Sequence, residues 1–416
     1  MNNSVIIIGG GIVGLSSAYY LQKKGYSVTI LDKGDLKDNC SYGNAGMIVP
    51  SHFVPLASPG MVQQGIRWMF NSKSPFYVKP SLNGKLIGWG LKFLKNANAK
   101  HVERSAVPLR DLSLLSKSLY HSLAEELKAD FELQDNGILA FYKTDKAAEE
   151  EAHLVKKALE LGLDMAILNP AECAALQPEL KLDVLGAVHY RCDSHLYPQK
   201  LMDALLNYLQ LNGVKLMRNH EVTQIELAGK EINKLFTGNQ EWKADHYVLA
   251  TGSWSPEIAK MVDMNIPIMP GKGYSFMEPE PAQRMHIPAL LCEARVAITP
   301  MNGSIRYGGT MELGQINQNI NKQRVLGIVE SVPKYFPDLK PEVPSMEKIW
   351  FGFRPSSPDG LPYIGYSHKV KNLIVATGHG MMGLGLGPAT GSLVSQLIAE
   401  EKPPLSLGIF SPSRFN

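Results

Sequence analysis

The sequence predicts an α/β + α+β chain in which a nucleotide-binding sheet, fed by three separate stretches, is interleaved with a domain built on an antiparallel sheet. Three observations predict it. A glycine-rich turn stands between a strand and a helix at the N-terminus; a strand ending in small residues recurs in HYVLATGSWSP; a third, NLIVATGHG, runs into another glycine cluster near the C-terminus. With 416 residues the chain has room for two domains of roughly 100–200 residues each.

The first unit begins with Val5–Ile8, a β-branched apolar run, followed by helical spacing over Leu15–Lys24 that stops at Gly25, a residue suited to a helix C-cap. A buried strand, Val28–Leu31, then closes on Asp32. Gly9, Gly11 and Gly14 occupy the three glycine positions of G-x-G-x-x-G in its full strand–turn–helix–strand–acid context. Gly9 serves the tight turn, Gly11 lets a pyrophosphate approach the main chain, and Gly14 lets helix and strand lie close. The exposed N–H groups and the helix dipole attract phosphate. Asp32 is placed to accept ribose hydroxyls; an acid there, with no arginine after it, argues against a 2′-phosphorylated nucleotide and leaves FAD and NAD open.

After residue 50 come about fifty residues rich in Pro, Gly and aromatics, then a predicted helix over Leu109–Lys128, a turn and strand in DNGILAFYKT, a helix over Lys146–Leu161 and a turn at Asn169-Pro170. From Asp193 the pattern changes back. A helix is expected from Pro198 to a stop at Gly213, then a strand over Val214–Arg218, an alternating run Glu221–Leu227 and the strand Tyr247–Ala250. Residues 266–350 are strand-rich, with IRYGGTMELG as a candidate hairpin. A last helix is expected from Pro388, suited to a first helical position, to Ile398. Residues 1–50, 193–265 and 351–416 are thus assigned to the nucleotide-binding domain, and 51–192 and 266–350 to the other.

Composition narrows the function class. Hydrophobic content of 44% with 19% charged residues is the profile of a globular enzyme, and a net charge of +3 is too small to make nucleic acid the main partner. Cys40, Cys173, Cys192 and Cys292 form no C-x-x-C, so neither a metal site nor a disulfide framework is expected. A strand at residue 5 leaves no room for a cleavable signal, and no stretch approaches the ~20 apolar residues of a membrane span, so a cytoplasmic location is expected. Residues 39–102 qualify this: they hold no Asp or Glu but carry Arg67, Lys73, Lys79, Lys85, Lys92, Lys95 and Lys100 among Trp68, Phe70, Phe76, Tyr77, Trp89 and Phe93. GKLIGWGLKFLKNANAK suits peripheral contact with the inner face of an anionic membrane. It equally suits a helix packed on its own domain with a solvated basic face.

Five stretches in order, GGGIVG, SYGNAGMIVP, VLATGSW, GFRPSSPDGLPYIG and ATGHGMMGLGLGPATG, resemble the D-amino-acid oxidase superfamily of FAD-dependent amine oxidoreductases along essentially the whole chain. SYGNAG and PGKGYS are most similar to the bacterial D-amino-acid dehydrogenases. The resemblance implies a discontinuous Rossmann-like (GR2-type) domain holding FAD noncovalently, with the flavin ring at the boundary with an antiparallel-sheet substrate domain. It implies FAD contacts from Gly9, Gly11, Ile12, Val13 and Gly14; from Asp32 and Lys33; from Asn44, Ala45, Gly46 and Met47; from Val222; from Thr251, Gly252 and Trp254; and from Gly380, Met381, Met382, Gly383, Leu384 and Gly385. The glycine loop Gly378–Gly387 would pass beside flavin N1 and O2, where N–H donors and a helix N-terminus stabilise the reduced ring.

The same resemblance implies oxidation of a small D-amino acid, D-proline and D-hydroxyproline included, with hydride passing from Cα to flavin N5 and electrons going on to a quinone or another carrier. Arg354 matches the carboxylate-binding arginine, for which a bidentate fork is the right chemistry. Tyr274 is a candidate substrate hydroxyl or a core tyrosine, and His379 a flavin ligand or a histidine one layer behind. His52 lies where the chain leaves the flavin for the pocket. An oxidase of glycine, sarcosine or D-amino acids producing hydrogen peroxide, and an FAD-binding redox subunit or sensor without turnover, are the alternatives.

Overall fold

The computed structural model describes residues 3–60, 74–78 and 84–416. Arg67, Trp68, Phe70, Lys73 and Lys79 of the basic stretch lie outside the described residues. Ser4–Ile8, apolar on both faces, runs through the middle of a six-stranded sheet. Its order is Tyr363–Tyr366, Leu373–Thr377, His246–Leu249, Ser4–Ile8, Ser27–Leu31, Lys215–Met217, with every neighbour parallel except the first pair. One face is covered by the helices Ile12–Lys23, Pro198–Leu211 and Gly383–Ile398. The other packs Tyr247, Leu249 and Val375 against the short helix Ser255–Lys260 and a three-stranded antiparallel sheet. Burial on both faces is why these strands are continuous apolar runs.

The second sheet has nine strands among the described residues. It runs from Trp350–Ser356 through Met269–Pro279, Ser304–Leu313, Val296–Met301 and Ala289–Leu291 to Ile138–Tyr142, Gly186–Tyr190 and Met165–Leu168, with Phe76–Val78 beside Ser304–Leu313. Pairing is antiparallel except where Ala289–Leu291 meets Ile138–Tyr142 and where Phe76–Val78 joins. The helix Lys322–Ser331 closes one face with Val325, Ile328 and Val329. The chain is therefore a Rossmann-like domain joined to a largely antiparallel substrate domain.

Four local expectations change. All of IRYGGTMELG but its last glycine lies within one strand, Ser304–Leu313; the hairpin turn falls earlier, at Asn302 and Gly303, both with positive φ. Trp350–Ser356 pairs in the second sheet, beyond the boundary drawn at 351. The helix Ala99–Leu127, expected from residue 109, places Leu109 and Leu112 in one cluster with Leu386, Ala389 and Leu393, so it belongs to the packing of the nucleotide domain. Pro388 sits inside the helix Gly383–Ile398 instead of at its start. A proline there leaves the carbonyl four residues back without its N–H donor. The Tyr120 hydroxyl donates to that Leu384 carbonyl, which is how the helix continues through the proline.

Candidate active site

At the N-terminal turn the backbone is held from below. A Cβ on Gly9, whose φ is +104°, would lie 2.6 Å from the Ala250 carbonyl oxygen, and one on Gly14 would lie 1.9 Å from Gly9 O. Gly11 is different: a Cβ there would meet only Ser41 Oγ, at 3.7 Å. Asp32 accepts from Gly10 N–H at 2.6 Å and Gly34 N–H at 2.7 Å, so its carboxylate is fixed at the strand end. The segment bearing Val222, buried in the core, runs alongside through His220 N–H to Asp32 O. Lys33 lays its ammonium 3.7 Å from the centre of the Trp254 ring, and burial lowers its pKa. Thr251, Ser255 and Thr377 join in a hydroxyl chain at the ends of two neighbouring strands, reaching the Gly252 carbonyl.

The SYGNAG loop is pinned by the second sheet. Arg306 donates to the Tyr42 and Asn44 carbonyls at 3.0 and 2.6 Å, and Ser275 Oγ donates to Gly43 O at 3.0 Å. In trans peptides the N–H opposes the carbonyl, so the N–H groups of Gly43 and Ala45 point away from that sheet. Ser41 Oγ accepts the Ile12 N–H at the helix start, beside the buried Val13. Gly46, at φ +78°, passes under Leu196 O and leads into Met47–Ile48. Cys40 exchanges hydrogen bonds with the Phe353 backbone, and burial raises its pKa, keeping it a thiol.

The C-terminal cluster holds two kinds of glycine. Cβ atoms on Gly387 and Gly391 would collide with Ile12, at 2.6 Å, and with the Ser16 backbone, at 2.4 Å. The match of 387 with 12 and 391 with 16 makes the two helices parallel, with both N-termini at one end. The later helix starts about 6 Å further out, one turn of about four residues. By contrast Gly380 has nothing within 4 Å of a Cβ, Gly383 only His379 Cβ at 3.7 Å, and Gly385 the Met47–Val49 backbone at 3.5 Å or more. Met381 is half exposed, Met382 partly so, and Leu384 is buried. Neither N-cap residue, Gly11 or Met382, caps its helix with a side chain, and at the first helix Ser41 Oγ takes only the Ile12 N–H. Two helix N-termini a turn apart, neither closed by its own N-cap residue and each with open glycines beside it, fit a long anionic dinucleotide whose ring lies beyond its phosphates.

Arg354 sits on the sheet face toward these loops. Its guanidinium lies across Gly273, where a Cβ would be 2.0 Å from Nη1, and Nη1 donates to Thr310 O at 2.6 Å. Thr310 holds φ +62° in a bulge, so the strand is bent at the residue that aims the arginine. Burial lowers the Arg354 pKa, and among the described residues no acid lies within ion-pair distance of it. Tyr274 goes elsewhere. Gly273 pairs with Gly352 and Tyr274 with Phe351, so Tyr274 faces the opposite side of the sheet from Arg354. There it is buried, donates to Glu312 and accepts from Asn321 N–H.

His379 is buried with Nε2 2.9 Å from Thr390 Oγ1, and desolvation pushes its pKa down to about 3, so it stays neutral. His52 follows the Met47–Ile48 strand, with Nδ1 2.9 Å from Ser51 Oγ; desolvation, then the Arg295 charge, pushes its pKa down to about 4. Four residues that the sequence did not single out belong to this region: Ser41, Ser275, Arg306 and Trp350. The Trp350 indole occupies the space a Cβ on Gly43 or Gly352 would need, and its Nε1 is buried without a partner among the described residues. Ser41 and Ser275 carried a signal, lying inside SYGNAG and PGKGYS; Arg306 and Trp350 carried none.

A parallel-sheet domain with a fingerprint turn, an acid at the second strand and open glycines at two helix starts defines a dinucleotide-dependent oxidoreductase. The chain belongs to the FAD dependent oxidoreductase (DAO) family, whose model matches residues 4–397, and its cofactor is FAD. It is 32% identical to a D-amino acid dehydrogenase of Helicobacter pylori over 95% of each chain, and 29% identical to one of Granulibacter bethesdensis over 99% of each. Among solved structures, glycine oxidase from Geobacillus kaustophilus superposes with a TM-score of 0.79 at 24% identity, covering 99% of this chain and 98% of its own. L-proline dehydrogenase from P. horikoshii gives 0.76 at 20%, covering 99% and 97%.

Proposed function

We propose that the chain oxidises small D-amino acids, D-proline and D-hydroxyproline among them, and passes the electrons to a quinone or another carrier. The observation that carries this reading is Arg354: a half-buried, desolvated guanidinium with one N–H spent on a carbonyl and no acid partner among the described residues. A desolvated cation of this kind gains most from a ligand carboxylate, which it meets through a charge-assisted fork. Gly273 leaves room for the guanidinium and the Thr310 carbonyl sets its rotation, so the carboxylate's position fixes that of Cα. Bound FAD supplies the hydride acceptor. The chain's own part is to hold the substrate with Arg354, to offer N–H groups at Gly380–Gly385, and to keep water away with Met382, Val49 and Trp350.

The names of the curated relatives support an amino-acid donor. An anaerobic absorbance titration with D-amino acids, L-amino acids, glycine and sarcosine tests it. Bleaching by D-amino acids alone is the expected result; no bleaching by any amine would leave an FAD-binding subunit or sensor. Readmitting air without a dye then separates dehydrogenase from oxidase by hydrogen peroxide.

The carrier is proposed to be reached at a membrane. The helix Gly84–Asn96 is anchored by Trp89, which donates to Ser356 O and stacks on Phe93, while Ile87, Leu91 and Leu94 are 50%, 64% and 53% exposed on its other side; Lys95 borders that stripe, and Lys85 and Lys92 lie round toward the Trp89 side. An exposed apolar stripe on a basic helix suits an anionic lipid surface. No described helix is long and apolar enough to cross a membrane. Sedimentation with phosphatidylglycerol liposomes should be lost when Lys85, Lys92 and Lys95 become Glu; no binding by the unaltered protein removes the idea.

A further inference from the structure

Ser51 stands between two titratable groups that the sequence does not connect. Its Oγ is 2.6 Å from Asp193 Oδ2 and 2.9 Å from His52 Nδ1, and its N–H donates to Asp193 Oδ1 at 2.9 Å. Asp193 is fully buried, 142 positions away in the chain. His52 comes four residues after the strand Met47–Ile48, whose backbone, with that of Val49, lies beside Gly385 at the open start of the last helix, and Val49 and Met382 pack in one cluster there. His52 is half-buried, and desolvation is the main cause of its lowered pKa. A hydrogen-bonded chain from this ring to a buried carboxylate is a route that a proton can take.

We propose that His52, Ser51 and Asp193 form a relay that takes the proton lost by the substrate's ammonium group. The proposal rests on the amine-oxidation reading above. In the resting chain His52 carries its proton on Nδ1 and donates to Ser51 Oγ, which donates to the Asp193 carboxylate. The substrate N–H bond breaks as His52 Nε2–H forms, the Nδ1 proton passes to Ser51 Oγ, and the Ser51 proton passes to Asp193 Oδ2. A cationic amine and a carboxylate become a neutral amine and a carboxylic acid, and His52 ends neutral in its other tautomer. The amine lone pair is then free to support hydride loss from Cα to FAD. Asp193 is the store and His52 the conduit.

The surroundings agree with those parts. Burial raises the Asp193 pKa to about 7 against the Ser51 hydrogen bonds, the Cys192 thiol at 3.4 Å and the Lys117 charge. Asp193 and Glu151 both bear on the buried Tyr190, whose hydroxyl donates to Glu151. Desolvation first, and then the Arg295 charge, keeps the imidazolium of His52 from accumulating. Lys117 also pairs with Asp135 at 3.1 Å, and Asp135 with the half-exposed His121 at 3.3 Å, a charged path from the Asp193 side toward the surface.

The test is anaerobic stopped-flow reduction of the holoenzyme, from pH 6 to 10, by the D-amino acid that bleaches it best. The parent should show a group near pH 7, below which reduction slows, and Asp193→Asn should lose that group. Ser51→Ala should slow reduction about tenfold or more at pH 7 and recover toward pH 10, where substrate arrives as free amine; Ser51→Thr should restore the parent profile. A rate lowered equally at every pH, or an unchanged profile, overturns the relay. An infrared pH titration of the resting protein, taken as parent minus Asp193→Asn, should find the carboxyl ionising near neutrality; ionisation below pH 5 also overturns it. A parent that no amino acid bleaches would instead sink the functional reading, and the relay with it.

Discussion

Gly387 and Gly391 stand in the same run of sequence as Gly380 and Gly383, yet what occupies their missing side chains differs completely. The first pair is filled by Ile12 and the Ser16 backbone; the second faces open space or a distant Cβ. Arginines divide the same way. Arg306 is buried but satisfied by two carbonyls and the Met277 sulfur, whereas Arg354 spends one N–H and keeps the rest of its fork. The protein completes itself in one set of places and leaves room for ligand in the other, and residue type alone does not say which.

Substitutions can break that division, and the largest effects are expected where packing is complete. Gly391→Ala sets a Cβ 2.4 Å from the Ser16 backbone, and Gly14→Ala one 1.9 Å from Gly9 O. Each should destabilise by about 3 kcal/mol or more, since neither neighbour is a side chain that can swing away. Thermal unfolding of the apoprotein measures it; a parent-like midpoint would dissolve the contrast.

Next comes the open arginine. Arg354→Lys should raise the dissociation constant of a carboxylate inhibitor such as benzoate about 100-fold while leaving FAD affinity unchanged, because an ammonium cannot reproduce the fork. Loss of FAD instead would move Arg354 to the packed set. Gly11→Ala should keep the apoprotein's unfolding midpoint and weaken FAD about tenfold, the reverse of Gly14→Ala; fluorescence titration of FAD checks it.

Tyr120→Phe leaves the Leu384 carbonyl above Pro388 without a donor and should cost about 1 kcal/mol, read by urea unfolding. A pH dependence follows from one buried acid. Asp193 has its pKa raised to about 7, so the folded chain keeps a proton that the unfolded chain loses near pH 4. Its contribution to stability is therefore full below about pH 4 and falls away as pH rises toward 7. Asp193→Asn should flatten the decline in melting temperature between pH 5 and 8; an equal decline in both proteins would place the cause elsewhere.

Much of the fold was legible because its signals are local. The turn at Gly9–Gly14 and the acid at Asp32 need only thirty consecutive residues, and strand and helix starts there follow from side-chain type. Arg354 was legible through the motif around it. Tyr274 was not: one step along a strand reverses the face, and only the pairing of Gly273 with Gly352 shows which face it takes. Pro388 read as a helix start because the compensating hydroxyl comes from Tyr120, 264 positions away.

By itself the sequence determined the nucleotide-binding sheet, the order of its pieces and the chemistry of its turn, since hydrophobic period, glycine and capping preferences act between near neighbours. The tertiary structure alone decided which glycines pack and which stay open, which face carries Tyr274, and that Ser51 joins His52 to Asp193. Those outcomes depend on atoms brought together across the two sheets, where close packing and hydrogen-bond geometry, not local propensity, set what each residue can do.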